Sequence, residues 1–172
     1  KAQRIIRQST PLIDDAMRGD ARAREIFMQL LRRRQRVVSA LRSMHELEVL
    51  GAYLPEFSGL TCLVQYDIYH LYTVDEHSLV ALERLEQLAR ADESNPLRRV
   101  YDALERRDLL LLGALLHDVG KSRREEHVRS GVEMATALLE RLGLPEAERR
   151  FVLFLVEHHQ EMVIISQRRD LD

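Results

Sequence analysis

Along most of the chain, apolar residues recur at three- and four-residue spacing, the period of a helix with one buried face. Thr10 followed by Pro11 has the form of an N-cap and N1 pair, opening a short helix that Gly19 stops. Asp20 is placed to cap the next helix. In it Ile26, Leu30 and Leu31, then Val37, Val38 and Leu41, keep helical spacing. Residues 45–50 continue that helix or its neighbour, and Gly51 ends it. Thr73 and Glu76 have capping-box spacing and open a helix striped by Leu79, Leu82, Leu85 and Leu88. His77 precedes Ala81, Leu85 and Leu88 at helical intervals, so it is expected to look into the same interior.

Residues 91–96 read as a linker and 97–105 as a helix. Asp108 is expected to cap residues 109–118, which are apolar all round and so predict a central buried helix closed by Gly120. A further helix is predicted over His127–Arg141, ended by Gly143. Pro145 begins the next, over 146–160, with Phe151, Phe154 and Leu155 facing inward; a last helical piece spans 162–172. No alternating strand pattern is present, so the predicted class is all-α.

Residues 51–72 interrupt the helical period. Pro55, Gly59 and the aromatics Tyr53, Phe57, Tyr66, Tyr69 and Tyr72 read as a long loop, a feature that is usually functional or ordered by its own packing. A length of 172 residues with 45% hydrophobic and 31% charged side chains fits a globular unit with a real core. Cys62 is the single cysteine, which excludes an internal disulfide and a cysteine-built zinc site; it is expected to pack as a small apolar residue. No Gly-rich phosphate loop occurs. Neither a secretory leader nor an apolar run of bilayer length is seen, so a cytoplasmic setting away from membranes is expected.

Charge changes this picture little. Residues 1–50 carry 11 basic and 6 acidic side chains, and the remainder is net acidic. Arg32, Arg33, Arg34 and Arg36 could contact phosphate or form a solvated face, and nothing else points to nucleic acid.

The histidines and aspartates carry the chemistry. His77, the adjacent His117 and Asp118, His127, the adjacent His158 and His159, and Asp170 fall at the ends of apolar helices. Imidazole and carboxylate suit divalent Mn, Mg, Fe or Zn. A carboxylate at the end of an apolar helix stays ionised only if a cation or donors offset its desolvation. Neighbouring helical residues point about 100° apart, so His117 and Asp118 can bracket one ion, or Asp118 can bridge two.

The order His77 … His117-Asp118 … Asp170, with the string HDVGK from His117 to Lys121, resembles the HD superfamily of metal-dependent phosphohydrolases. The added His127, His158 and His159 resemble its two-metal subset. Leu50-Gly51-Ala52-Tyr53-Leu54-Pro55-Glu56-Phe57, Gln65-Tyr66-Asp67 and the block HLYTVDEH from His70 to His77 are similar to the bifunctional uridylyltransferase/uridylyl-removing family of bacterial nitrogen control. The ending from Gln167 to Asp172 is similar as well. The stretch Ser122–His127 departs from that family's Gly-rich pattern, and so does Met44–Glu48.

The resemblance implies a helical lead-in over 1–50 and, over 51–172, an HD helical bundle that removes UMP from a modified tyrosine of the PII signal protein. A nucleotidyltransferase domain would precede it and ACT domains follow it in the parent chain. It implies that His77, His117, Asp118 and Asp170 (with Asp172 the fallback) hold one ion. Asp118 would bridge to a second at His127, His158 and His159. Lys121 could steady a phosphoryl oxygen or favour its helix C-terminus, and His70 could serve substrate or the ligands. A divalent ion brings the pKa of water it holds towards about 7. The leaving phenolate, with a pKa of about 10, needs little acid assistance. His45 reads as a surface or structural residue. Two other readings stand beside this one: an HD hydrolase of a nucleotide or cyclic dinucleotide, and a non-enzymatic helical module with a relic site.

Overall fold

The computed structural model describes residues 1–64, 72–123, 126–161 and 165, and among them the protein is built of α-helices and short 3-10 turns with no strand. In chain order the helices are α1 (Ala2–Ser9), α2 (Asp15–Gly19), α3 (Ala21–Leu31), α4 (Val37–Glu46), α5 (Val49–Tyr53), α6 (Pro55–Ser58), α7 (Val74–Leu88), α8 (Pro96–Ala103), α9 (Arg107–Leu116), α10 (His127–Arg141) and α11 (Glu146–Glu157). The predicted all-α bundle with a helical lead-in is what forms. Asp20 caps α3 as expected, accepting from the Ala23 amide at 2.8 Å. Gly143 ends the turn after α10 with φ of 69°, the left-handed conformation that favours glycine.

Several local expectations are corrected. Thr10 and Pro11 open a 3-10 turn, and the cap of α2 is Asp14, which accepts from the Met17 amide. The pattern from Ile26 to Leu41 is two helices, because Arg36 adopts φ of 62° and breaks the path between α3 and α4. The stretch 51–58 is two short helices parted at Leu54, and Gly51 lies inside α5. The Thr73 side chain makes no cap bond to the α7 backbone. Glu76, the other half of the expected box, is held by Arg42. Asp108 sits within the first turn of α9, and its carboxylate serves arginines rather than the helix amides. Cys62 is exposed, with φ of 57°. On α11 the inward residues are Val152 and Val156, while Phe151 and Phe154 are exposed. The piece 162–172 lies outside the described residues apart from 165.

α9 is the central helix, as its composition predicts. Leu109, Leu111, Leu112, Leu115 and Leu116 are buried, and α3, α7 and α11 pack around it. Gly113 admits α11: a Cβ there would lie 2.7 Å from Leu155 Cδ1. The lead-in shares this core, since Phe27, Leu31, Val38 and Leu41 join one buried cluster with the α9 leucines. Charged pairs fasten the periphery. Asp108, buried at the start of α9, accepts from Arg32 of the lead-in and from Arg106, which also grips Glu148 of α11. Arg141 makes two bonds to Glu56, joining α10 to α6.

After α9 the chain turns through a 3-10 segment, Val119–Ser122, against α10. A Cβ at Gly120 would stand 1.8 Å from the His127 carbonyl oxygen and 2.4 Å from the Gly131 nitrogen. Only glycine permits this approach. Gly120→Ala is expected to cost at least about 2–3 kcal/mol, the upper part of the range for overpacking. Gly19→Ala has nothing within 4 Å of the added carbon, and it is expected to be neutral or stabilising by up to about 1 kcal/mol. Urea unfolding of the two variants measures this contrast.

Burial pushes the Asp108 carboxyl up, but the bonds and charges of Arg106 and Arg32 outweigh it and hold the group below its ordinary value. Its contribution to stability is therefore complete above the unfolded carboxyl pKa of about 4 and is lost as pH falls through the lower folded value. The urea midpoint is expected to fall on acidification below about pH 4, and Asp108→Asn to shrink that fall.

Candidate metal centre

His117 is the C-terminal cap of α9 and Asp118 follows it. His158 caps α11 and His159 follows. The ends of two helices thus converge, each with carbonyls that have no partner inside the helix. His117 Nδ1 donates to the Ala114 carbonyl at 2.8 Å, and His159 Nδ1 to the Val156 carbonyl at 2.7 Å. A carbonyl only accepts, so both rings carry hydrogen on Nδ1 and turn Nε2 towards Asp118. The separations are 3.1 Å from His117 Nε2 to Oδ2 and 3.5 Å from His159 Nε2 to Oδ1. His77, on the first turn of α7, brings its Nε2 to 3.8 Å from Oδ2. Lys121 Nζ donates to the same oxygen at 2.9 Å.

The Asp118 side chain is 2% exposed. Burial raises its pKa, but the His117 and His159 imidazoles and the Lys121 ammonium prevail and hold it far below the usual carboxylate range. His77, His117 and Asp118 each offer one ligand atom, and these atoms lie within 4.8 Å of one another. The donor set fits a divalent cation on a specific ground. Asp118 Oδ1 and His159 Nε2 are buried and lack a hydrogen-bond partner. An imidazole Nε2 aimed at a carboxylate is favourable only if it is protonated or if a cation stands between them. Anchoring of the opposite ring nitrogen on a carbonyl is also how metal-binding histidines are held.

The remaining candidates are placed as follows. His127, at the start of α10, lies with its ring 6.3 Å from that of His159, and its Nε2 is 3.1 Å from Gln160 Nε2. The structure does not bring His158 to this group; its Nδ1 meets Glu161 at 2.7 Å and its ring packs on Phe154. Lys121 is nearly buried and paired with Asp118. His45 is structural, bonded to buried Asp75. His70, Asp170 and Asp172 lie outside the described residues. The sequence reading did not single out Asp75, Arg42 or Gln160. Buried Asp75 stands two residues before His77, which was the available signal.

Two family models match the chain: "HD domain" over residues 74–171 and "Uridylyltransferase GlnD third domain" over residues 1–53. The chain is 40% identical over 173 residues to a bifunctional uridylyltransferase/uridylyl-removing enzyme of Ruegeria pomeroyi, covering 99% of this chain and 19% of that protein. It is 39% identical to the enzyme of the same name from Methylococcus capsulatus, covering 98% of this chain and 20% of that protein. The chain therefore spans about a fifth of the length of these relatives. Among the described residues no helix is long and apolar enough to cross a membrane. The match runs through α7, α9, α10 and α11, the helices that carry the clustered histidines and Asp118, and the chain belongs to the HD domain family.

Proposed function

We propose that this chain is a divalent-metal-dependent phosphodiesterase that removes UMP from a uridylylated tyrosine of the PII signal protein, in the cytoplasm, as one part of a larger bifunctional enzyme. The observation that carries the reading is the convergence of His77, His117 and Asp118 on one point at the end of a buried helix. The uridylyl-removing activity named for relatives of 36–40% identity supplies the substrate class.

His77, His117 and Asp118 would hold the first ion, Mn or Mg by preference, with Asp170 as the proposed fourth ligand. His159 and His127 stand on the side where a second would be held; His158, nominated with them by the sequence, meets Glu161 and Phe154 instead. When bound, the ion supplies an activated water and neutralises charge on the phosphoryl oxygens. The chain's own residues prepare the site for it. The Ala114 and Val156 carbonyls fix the two imidazoles in the tautomer that leaves Nε2 available. His117, His159 and, to a smaller extent, Lys121 on Oδ2 keep the Asp118 carboxylate ionised. The Lys121 ammonium adds positive charge where a phosphodiester anion would dock. The leaving phenolate, with a pKa of about 10, departs without a strong acid.

Asp118→Asn keeps the volume of the side chain and an acceptor for Lys121. In Mn²⁺ titration calorimetry the variant is expected to remain folded and lose binding by at least about 100-fold, the upper range for altered metal sites. Equal binding by wild type and variant refutes the assignment. The reaction itself is tested by UMP release from uridylylated PII with metal-replete full-length parent, beside a panel of nucleotides and cyclic dinucleotides.

The two adjacent histidines are expected to separate in the same assay. His159→Ala is expected to lower UMP release by about 10-fold or more, as for residues that hold or orient a metal. His158→Ala is expected to change it by less than about 3-fold, since its partners are Glu161 and Phe154.

A further inference from the structure

The two residues before His77 each have a partner in the lead-in, and Asp75 is also bonded by the Thr73 side chain and the Cys62 amide. Asp75 is buried, and its Oδ1 accepts from the Glu76 amide at 2.9 Å. Its Oδ2 accepts from the Cys62 amide at 3.2 Å and lies 3.0 Å from His45 Nε2. The His45 ring is itself fixed edge-on to buried Phe57, with centroids 5.8 Å apart. Both oxygens of Glu76 accept from Arg42 Nη1 at 2.8 Å. The same guanidinium reaches Glu83, two turns further along α7, through Nε at 3.2 Å and Nη2 at 2.7 Å. Arg42 and His45 are three residues apart and so share one face of α4. That face is laid on the start of α7.

Ion pairs that merely dock two helices would do their work anywhere along them. The seam between α4 and α7 runs on to Glu83 and Glu86, but two of its contacts, those to Asp75 and Glu76, fall on the turn that carries a ligand. Thr73 makes no side-chain bond to the helix amides. The His77 side chain is 41% exposed, against 14% for His117 and 12% for His159. His117 and His159 are the more enclosed, and His77 stands on the turn that α4 grips.

We infer that Arg42 and His45 are positioning residues of the metal centre, gripping Asp75, Glu76 and Glu83 so that the first turn of α7 presents His77 to His117 and Asp118. The inference rests on the metal-centre reading above and extends it into the segment that precedes the HD match. The lead-in thereby becomes part of what sets metal affinity, and a displacement of α4 is transmitted to the site through two side chains.

The test is calorimetric titration with Mn²⁺ alone, joined to amide hydrogen exchange, on wild type, Arg42→Ala, Arg42→Lys, His45→Ala and Arg18→Ala. Arg18 pairs with Asp15 of its own helix and ties α2 to the Ala52 carbonyl of α5, so its removal loosens the lead-in without touching α7. Arg42→Ala and His45→Ala are expected to weaken Mn²⁺ binding about 10-fold, as loss of outer partners does at metal sites. They are also expected to speed exchange in the first turn of α7 and not in its last. Arg42→Lys keeps the charge without the two-pronged grip and is expected to fall between wild type and Arg42→Ala. Arg18→Ala is expected to bind as wild type does. If His45→Ala does not fold, the Arg42 pair decides the matter alone. Unchanged affinity in the folded alanine variants, or an equal loss in Arg18→Ala, overturns the inference. A wild type that binds Mn²⁺ but releases no UMP refutes the proposed reaction and leaves this inference standing; one that takes up no Mn²⁺ overturns both.

Discussion

An ionised carboxylate sealed at the end of an apolar helix sets the terms for everything around it. Asp118 is 2% exposed, and three imidazoles and one ammonium are drawn to within 4 Å of it. Removing a charge from water costs several kcal/mol even after relaxation, so such a group persists only where its surroundings return that energy. The convergence of α7, α9 and α11 is the geometry that returns it. Each imidazole comes from a different helix, and two of the three are locked by the carbonyl one turn behind them. The close approach of Gly120 to α10 then seats the chain so that Lys121 can curl back onto the same oxygen.

Much of the fold was legible because its strongest signals are local. The uninterrupted apolar run of α9 could only be buried, and Asp20 and Gly143 punctuate helices through backbone chemistry that depends on little else. What escaped reading was decided by distant partners. Asp108 has the residue type and place of a cap, but Arg32 and Arg106 compete for its oxygens and win. The break at Arg36 uses a left-handed conformation that arginine rarely adopts, so no residue type announces it. Phe151 and Phe154 are the largest apolar side chains of α11, yet the rotation of α11 is set by how Leu155 meets Gly113 and by Val152 and Val156.

The site divides along the same line. Residue types, spacing and the likeness of HDVGK to a known family were enough to nominate His77, His117 and Asp118, which the fold does bring together. Choosing between His158 and His159 was beyond the sequence. Adjacent residues leave a helix about 100° apart, so one turns in and the other out, and only the seating of α11 says which. His45 illustrates the opposite failure. Alone in the sequence it has no visible partner, because Asp75 lies thirty residues away and the pairing exists only once α4 meets α7.

The chain's strong preference for arginine over lysine has a practical result. Lys121 and Lys1 are its two lysines, and Lys121 is 9% exposed with its ammonium bonded to Asp118. An acylating reagent therefore meets one open lysine side chain and one that is shielded by the very carboxylate around which the site is built. Acylation needs room at the amine, which burial and the bond to Asp118 deny. The rate at which Lys121 becomes labelled thus reports how often the helix ends around Asp118 come apart, so the centre carries its own chemical gauge of opening.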